Sequence, residues 1–162
     1  VNFGDATTQG IEADAKFRLD DLFPEAIPIT INANVSFYHS HVNDVVGPYN
    51  RIDQQPGMLA NLGGDYKWPS GRWQVGGNVS WTPPFTVQST NTQSTFFGLR
   101  RQIDLYTLWA IDPDTKLRFS ATNLKPVEYL TEATTIQGNQ VQNVLTEGRT
   151  TTLFAVRLER RL

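Results

Sequence analysis

The chain of 162 residues contains no cysteine, which excludes disulfides and thiolate metal sites. It has no apolar run near the roughly 18 residues that a membrane-spanning helix needs, and its mean hydropathy is −0.37. Neither sign of charge dominates. Fourteen Lys and Arg against sixteen Asp and Glu leave a net −2, which argues against nucleic acid or an anionic membrane surface as partner. Helical periodicity of any length is missing as well. A helical membrane protein is thereby excluded. A β-barrel is not, because alternating apolar and polar residues dilute hydropathy. The chain opens on Val1 without an initiator Met or a basic leader, so a mature chain or an excised piece of a longer one is expected.

What is present is alternation. In "RWQVGGNVSWTP" (72–83) Trp73, Val75, Gly77, Val79 and Trp81 take one face of a strand, and Gln74, Asn78, Ser80 and Thr82 take the other. The same pattern predicts seven strands: about 9–19, 27–42, 58–68, 72–83, 99–111, 117–122 and 154–162. Short connections ("DDLFPEA", "PSGR", "DPDT") have the Pro, Gly and Asp of tight turns. They alternate strictly with long segments that begin "NDVVGPYN", "PPFTVQST" and "KPVEYLTE". In a meander this sorts every short turn to one end of the sheet and every long loop to the other. If "PSGR" is a hairpin turn, Trp68 pairs with Trp73, Tyr66 with Val75, Gly64 with Gly77, Leu62 with Val79 and Ala60 with Trp81.

Alternation fixes two faces but not their surroundings. A soluble all-β binding domain, such as a lipocalin-like barrel, would put the apolar face inside. A membrane barrel would turn it toward lipid. Three features favour the second reading. Aromatics gather at strand ends, with Trp68, Trp73, Trp109 and Phe119 beside short turns and Trp81 at the far end of its strand. Trp73 and Trp81 are eight residues apart, or roughly 26 Å along a strand; a tilt of about 40° leaves roughly 20 Å of height, near the separation of two interfacial aromatic girdles. Mid-strand apolar positions carry small residues (Ala13, Ala15, Ala33, Ala60, Gly64, Gly77, Ala121) that lipid tolerates and a packed core would not. Finally, loop sorting by length is what outer-membrane barrels show.

Five local signatures, in order, resemble the C-terminal β-barrel portion of a TonB-dependent outer-membrane receptor. They are "ATTQGIEAD" (6–14), "ITINANVSFYHSHVND" (29–44), "QPGMLANLGGDYKW" (55–68), "KLRFSATNLKPVEYL" (116–130) and "EGRTTTLFAVRLERRL" (147–162). The resemblance implies an all-β antiparallel meander of about seven long strands belonging to a transmembrane barrel of about 22 strands. It implies that residues 1–162 are the C-terminal segment of that barrel, with the plug domain and the N-terminal strands lying outside this chain. The implied function is binding and import of a scarce ligand, a ferric siderophore first, with energy supplied through TonB at the bacterial outer membrane. Implied partners are outer-membrane lipid, the rest of the barrel and plug, the extracellular ligand, and TonB through the absent N-terminal region. The isolated piece is expected to self-associate through its free sheet edges. One departure is Leu162, where the family's closing strand usually ends in an aromatic.

No Ser/His/Asp or paired-carboxylate spacing points to catalysis, so neither an enzyme nor a cofactor is expected. His39 and His41 share one side of a strand at its loop end, with Asp44 nearby, and are read as polar rim residues rather than metal ligands. Glu12, Asp14, Lys16 and Arg18 are read as a solvated lumen wall. Tyr49, Phe85, Phe96, Phe97 and Tyr129 lie in or beside the long loops and are the candidate ligand-gripping residues. Trp68, Trp73, Trp81, Trp109 and Phe119 are the expected membrane-interface aromatics.

Overall fold

The computed structural model describes residues 5–161. β1 (Ala6–Arg18) runs into one helical turn, α1 (Leu19–Leu22), and the chain returns as β2 (Ile29–Val42). β3 (Met58–Lys67) and β4 (Trp73–Thr82) follow, then a shorter pair, β5 (Phe85–Thr90) and β6 (Gln93–Phe97). β7 (Arg100–Ala110) and β8 (Thr115–Thr122) precede a second pair, β9 (Tyr129–Gln137) and β10 (Gln140–Gly148), and β11 (Leu153–Arg160) comes last.

Strands β1, β2, β3, β4, β7, β8 and β11 form one antiparallel sheet in that order. They are the seven strands that alternation predicts. The register read from "PSGR" also holds: Ala60 pairs with Trp81, Leu62 with Val79, Gly64 with Gly77 and Tyr66 with Val75. The Trp68 amide donates to the Trp73 carbonyl at 2.9 Å, and the Gly71 amide closes the turn onto the Trp68 carbonyl at 2.8 Å. Gly71 sits at φ +69°, a left-handed conformation that costs glycine nothing. Leu162 lies outside the described residues.

Two expectations are corrected. "DDLFPEA" is not a tight turn, because α1 occupies its first half and the chain needs residues 19–28 to reverse. The second and third long segments are not irregular loops. They fold as the hairpins β5–β6 and β9–β10, which join through β6 and β9 into a separate four-stranded sheet. Only the first long segment, residues 43–57, stays irregular. It is tied to the new sheet by the Gln88 amide on the Tyr49 carbonyl at 2.8 Å and the Val46 amide on Asn91 Oδ1 at 2.8 Å.

The second sheet continues the first. Its order β5-β6-β9-β10 follows the chain upward from β4, β7, β8 and β11 in turn. Between β4 and β5 stand Pro83 and Pro84, which have no amide hydrogen to give a ladder. The pairing nevertheless resumes unshifted, from Thr82 with Arg100 to Phe85 with Phe97. The stave from β8 to β9 carries two extra residues. Ala121 to Thr131 takes ten steps while Leu105 to Phe97 takes eight. Asn123 and Lys125 absorb the surplus at φ +57° and +55°.

The second sheet does not lie across either face of the first. The seven-stranded sheet is therefore a single layer, open at β1 and β11. Among the described residues the buried hydrophobic side chains are Val45, Val87 and Phe97, and all three belong to the loop end. The closed, apolar-centred barrel of the lipocalin-like alternative is not what this chain forms.

Candidate functional site

Register carries each apolar position across the seven-stranded sheet in level rows. At the turn end the row is Trp68, Trp73, Trp109, Leu117 and Leu158. Trp73 and Trp109 stack with ring centroids 5.4 Å apart and planes 3° from parallel, and Tyr66 meets the Trp68 edge at 4.7 Å. Phe119 stands one row further in, level with Tyr66 and Val75. Trp81 holds the loop end, beside Arg101. All four tryptophans and Phe119 are between 36% and 42% exposed, so each ring lies on its neighbours in the sheet with its outer side uncovered. Along β7 this face has no charge between Arg101 and the turn end. The Arg101 guanidinium turns back to the Lys125 carbonyl at 3.0 Å.

The opposite face is a hydrogen-bonded wall. Asn34 Nδ2 donates to Glu12 at 2.9 Å and to Asp14 at 2.7 Å. Gln102 Nε2 reaches both oxygens of Asp104, which also accepts the Asn123 amide at 2.8 Å. The most connected group is Asp65, Gln74 and Tyr106. The Tyr106 hydroxyl donates to Asp65 and accepts from Gln74 Nε2 at 2.8 Å, while the Arg118 guanidinium lies 4.1 Å from the Tyr106 ring centre. Asp65 and Tyr106 sit two strands apart in one row, with Gly76 between them. A Cβ at Gly76 would overlap both the Asp65 carboxylate and the Tyr106 ring. The missing side chain is what lets them meet.

The sequence patterns described above do not single out this group. The signal was available: the predicted register set Asp65 opposite Gly76, and one more strand of register brings in Tyr106. Beside the group, Asp14, Lys16, Asn32, Asn34, Asn61 and Asn78 line a concavity of about 530 Å³. The hydrogen-bonded polar groups of this wall are side-chain amides, carboxylates and the Tyr106 hydroxyl. Its amides and carboxylates can bind, orient or hydrate a polar molecule.

At the loop end the five candidate aromatics part company. Phe85 and Phe97 stack on each other at 4.8 Å, and Phe97 is buried. Phe96 points to the other face of β6, in a row with Thr86 and Glu132. Tyr129 begins β9 opposite Gly148. Tyr49 is exposed on the 43–57 loop. The structure thus joins Phe85 to Phe97 and leaves the other three apart. Of the two histidines, His41 takes a hydrogen bond from Asn50 at 3.0 Å on its Nδ1. Among the described residues no three His, Asp or Glu side chains gather as a metal-binding group.

A family model described as "TonB dependent receptor-like, beta-barrel" matches residues 1–144. No curated protein and no solved structure matches significantly.

Proposed function

We propose, from the premise that this chain belongs to the TonB-dependent receptor β-barrel family, that it forms part of the wall of an outer-membrane active transporter. The seven-stranded sheet crosses the outer membrane. Trp68, Trp73, Trp109 and Phe119 mark its inner interface and Trp81 its outer one. The polar wall around Asp65 and Tyr106 faces the lumen, and the four-stranded sheet stands above the outer leaflet. Residues 1–162 supply a C-terminal run of staves, and the remaining staves and the plug come from elsewhere in the parent receptor.

The observation that carries this reading is the pairing of two unlike faces on one uncovered layer. One face is an apolar surface whose charges, Arg101 and Arg160, stand at its two ends, with Trp73 stacked on Trp109 in its turn-end row. The other is a polar wall that carries three hydrogen-bonded groups, around Asn34, Tyr106 and Asp104. Water on the apolar side would leave it to aggregate, whereas lipid satisfies it. The cargo is a bulky, scarce ligand, with a ferric siderophore as its class, gripped by the loopward strands and imported with energy delivered by TonB. The test is uptake of radiolabelled ferric siderophores by cells making the parent receptor. Uptake that vanishes on deleting the receptor or TonB supports the proposal; uptake indifferent to TonB contradicts it.

A further inference from the structure

Across the ladders of the seven-stranded sheet, each charged side chain of the polar wall faces a neutral or oppositely charged partner, with one exception. Arg157 on β11 stands directly opposite Arg118 on β8. Two residues nearer the turn end, the same strands set Glu159 against Lys116; two residues nearer the loops, they set Ala155 against Ser120. Like charges directly opposite each other weaken a sheet. Among the described residues the one ion pair is Arg18 with Asp20, so no carboxylate pairs with either guanidinium.

The two arginines line a concavity of about 510 Å³ together with Asn78, Asp104, Tyr106 and Ser120. The Arg118 guanidinium lies 4.1 Å from the Tyr106 ring centre, a contact that positions the cation without neutralising it. Arg157 is exposed. Asp104 is already engaged, by Gln102 Nε2 and by the Asn123 amide. Two guanidiniums against one carboxylate leave the concavity with one unmatched positive charge.

We infer that Arg118 and Arg157 form a binding site for a single carboxylate on the lumen wall, close to its turn end. The inference rests on the transporter reading above. Guanidinium forks match the two oxygens of a carboxylate. One negative charge balances the concavity and removes the repulsion between the facing strands. Asn78 and Ser120 offer further donors beside it. Such a group reaches a barrel lumen from two sources: an Asp or Glu side chain of the plug, or a soluble carboxylate.

The experiment uses the full receptor as wild type, as Arg118→Gln/Arg157→Gln, and as Lys16→Gln, which removes a cation from a separate concavity of the same wall. Replacing two facing like charges by amides relieves repulsion, so the double variant should fold. Each form is titrated with citrate in detergent, and the urea needed to open its pore is read from conductance in planar bilayers. If the plug supplies the carboxylate, the double variant should open at about 1 M less urea, with citrate bound by no form. If a soluble carboxylate fills the site, citrate should bind the wild type at least about 10-fold more tightly than the double variant, with the urea midpoint unchanged. Lys16→Gln should behave as the wild type in both measurements. A double variant unchanged in both, or a Lys16→Gln variant that changes as the double variant does, overturns the site and leaves the transporter reading intact. A receptor that opens no pore at any urea concentration overturns that reading and the site with it.

Discussion

The seven-stranded and four-stranded sheets are the same staves at two heights, and they solve different problems. The lower sheet separates Trp, Val, Ile and Ala onto one face and Asn, Asp, Lys and Gln onto the other, as a wall between lipid and water does on the proposed reading. The upper sheet buries Val87 and Phe97 on one side of its first hairpin and is otherwise largely polar. Its contrast is short, confined in β5 and β6 to Phe85, Val87 and Phe97, and "QSTNTQST" (88–95) is polar at every position. Strand order and, on one stave pair, even register pass unbroken from one to the other. What changes at the junction is the environment, and Pro83, Pro84, Asn123 and Lys125 mark where. Pairing alone thus sustains the stave architecture, whereas the facial pattern reports what each face touches.

The largest expected effect breaks that contrast directly. Leu105 lies on the apolar face at mid-height, level with Gly77 and Ala121, and is 49% exposed. Leu105→Arg should cost about 2–4 kcal/mol of folding in a bilayer. Val144→Arg, at an exposed position in the upper sheet, should cost less than about 0.5 kcal/mol. Urea titration of the full receptor in lipid vesicles measures both, and equal costs would erase the distinction between the sheets.

Next in size is Gly76→Val, which drives a side chain into the space shared by Asp65 and Tyr106. We expect a loss of about 1–3 kcal/mol in the same titration. Tyr106→Phe leaves the packing and removes only the hydroxyl that joins Asp65 to Gln74, for a loss of about 1 kcal/mol. A null result for both would mean that the polar wall is a hydrated surface without structural weight.

The smallest effect is a pH response at the turn end. Asp112 Oδ1 accepts the amides of Asp114 at 2.9 Å and Thr115 at 2.8 Å. The Asp114 amide first, then Thr115, hold the Asp112 carboxyl below its ordinary pKa. A depressed carboxyl contributes stability that is fully present above its unfolded pKa and is lost as pH falls through the folded value. The β7–β8 turn should therefore be insensitive to pH near neutrality and loosen only at strongly acid pH. Hydrogen exchange at the Thr115 amide would show this, and Asp112→Asn should abolish the response.

The lower sheet was legible because each of its strands is a binary signal. One hairpin, "PSGR", was enough to fix four pairs correctly, since a one-residue slip would have exchanged the faces. β5, β6, β9 and β10 were not legible for the converse reason. Their apolar alternation is too short to read, with only Phe85, Val87 and Phe97 on one face of β5 and β6, and a Pro-Pro entry reads as the start of a loop. The candidate site shows the same limit. Phe96 and Phe97 are sequence neighbours and were grouped as loop aromatics, yet a strand sends adjacent side chains to opposite faces. Asp65 and Tyr106 are 41 residues apart, and only register through Gly76 brings them together.

The central claim is which face of the lower sheet meets lipid, and β4 tests it most directly. The chain has no native cysteine, so single cysteines can be placed at Gln74, Val75, Asn78, Val79 and Ser80 in the full receptor. After reconstitution into vesicles, each is challenged with a membrane-impermeant maleimide and, separately, with a lipid-attached quencher of a thiol-linked fluorophore. The account predicts maleimide labelling at positions 74, 78 and 80, and quenching by the lipid probe at 75 and 79. The reverse pattern, or labelling at all five positions, would contradict it.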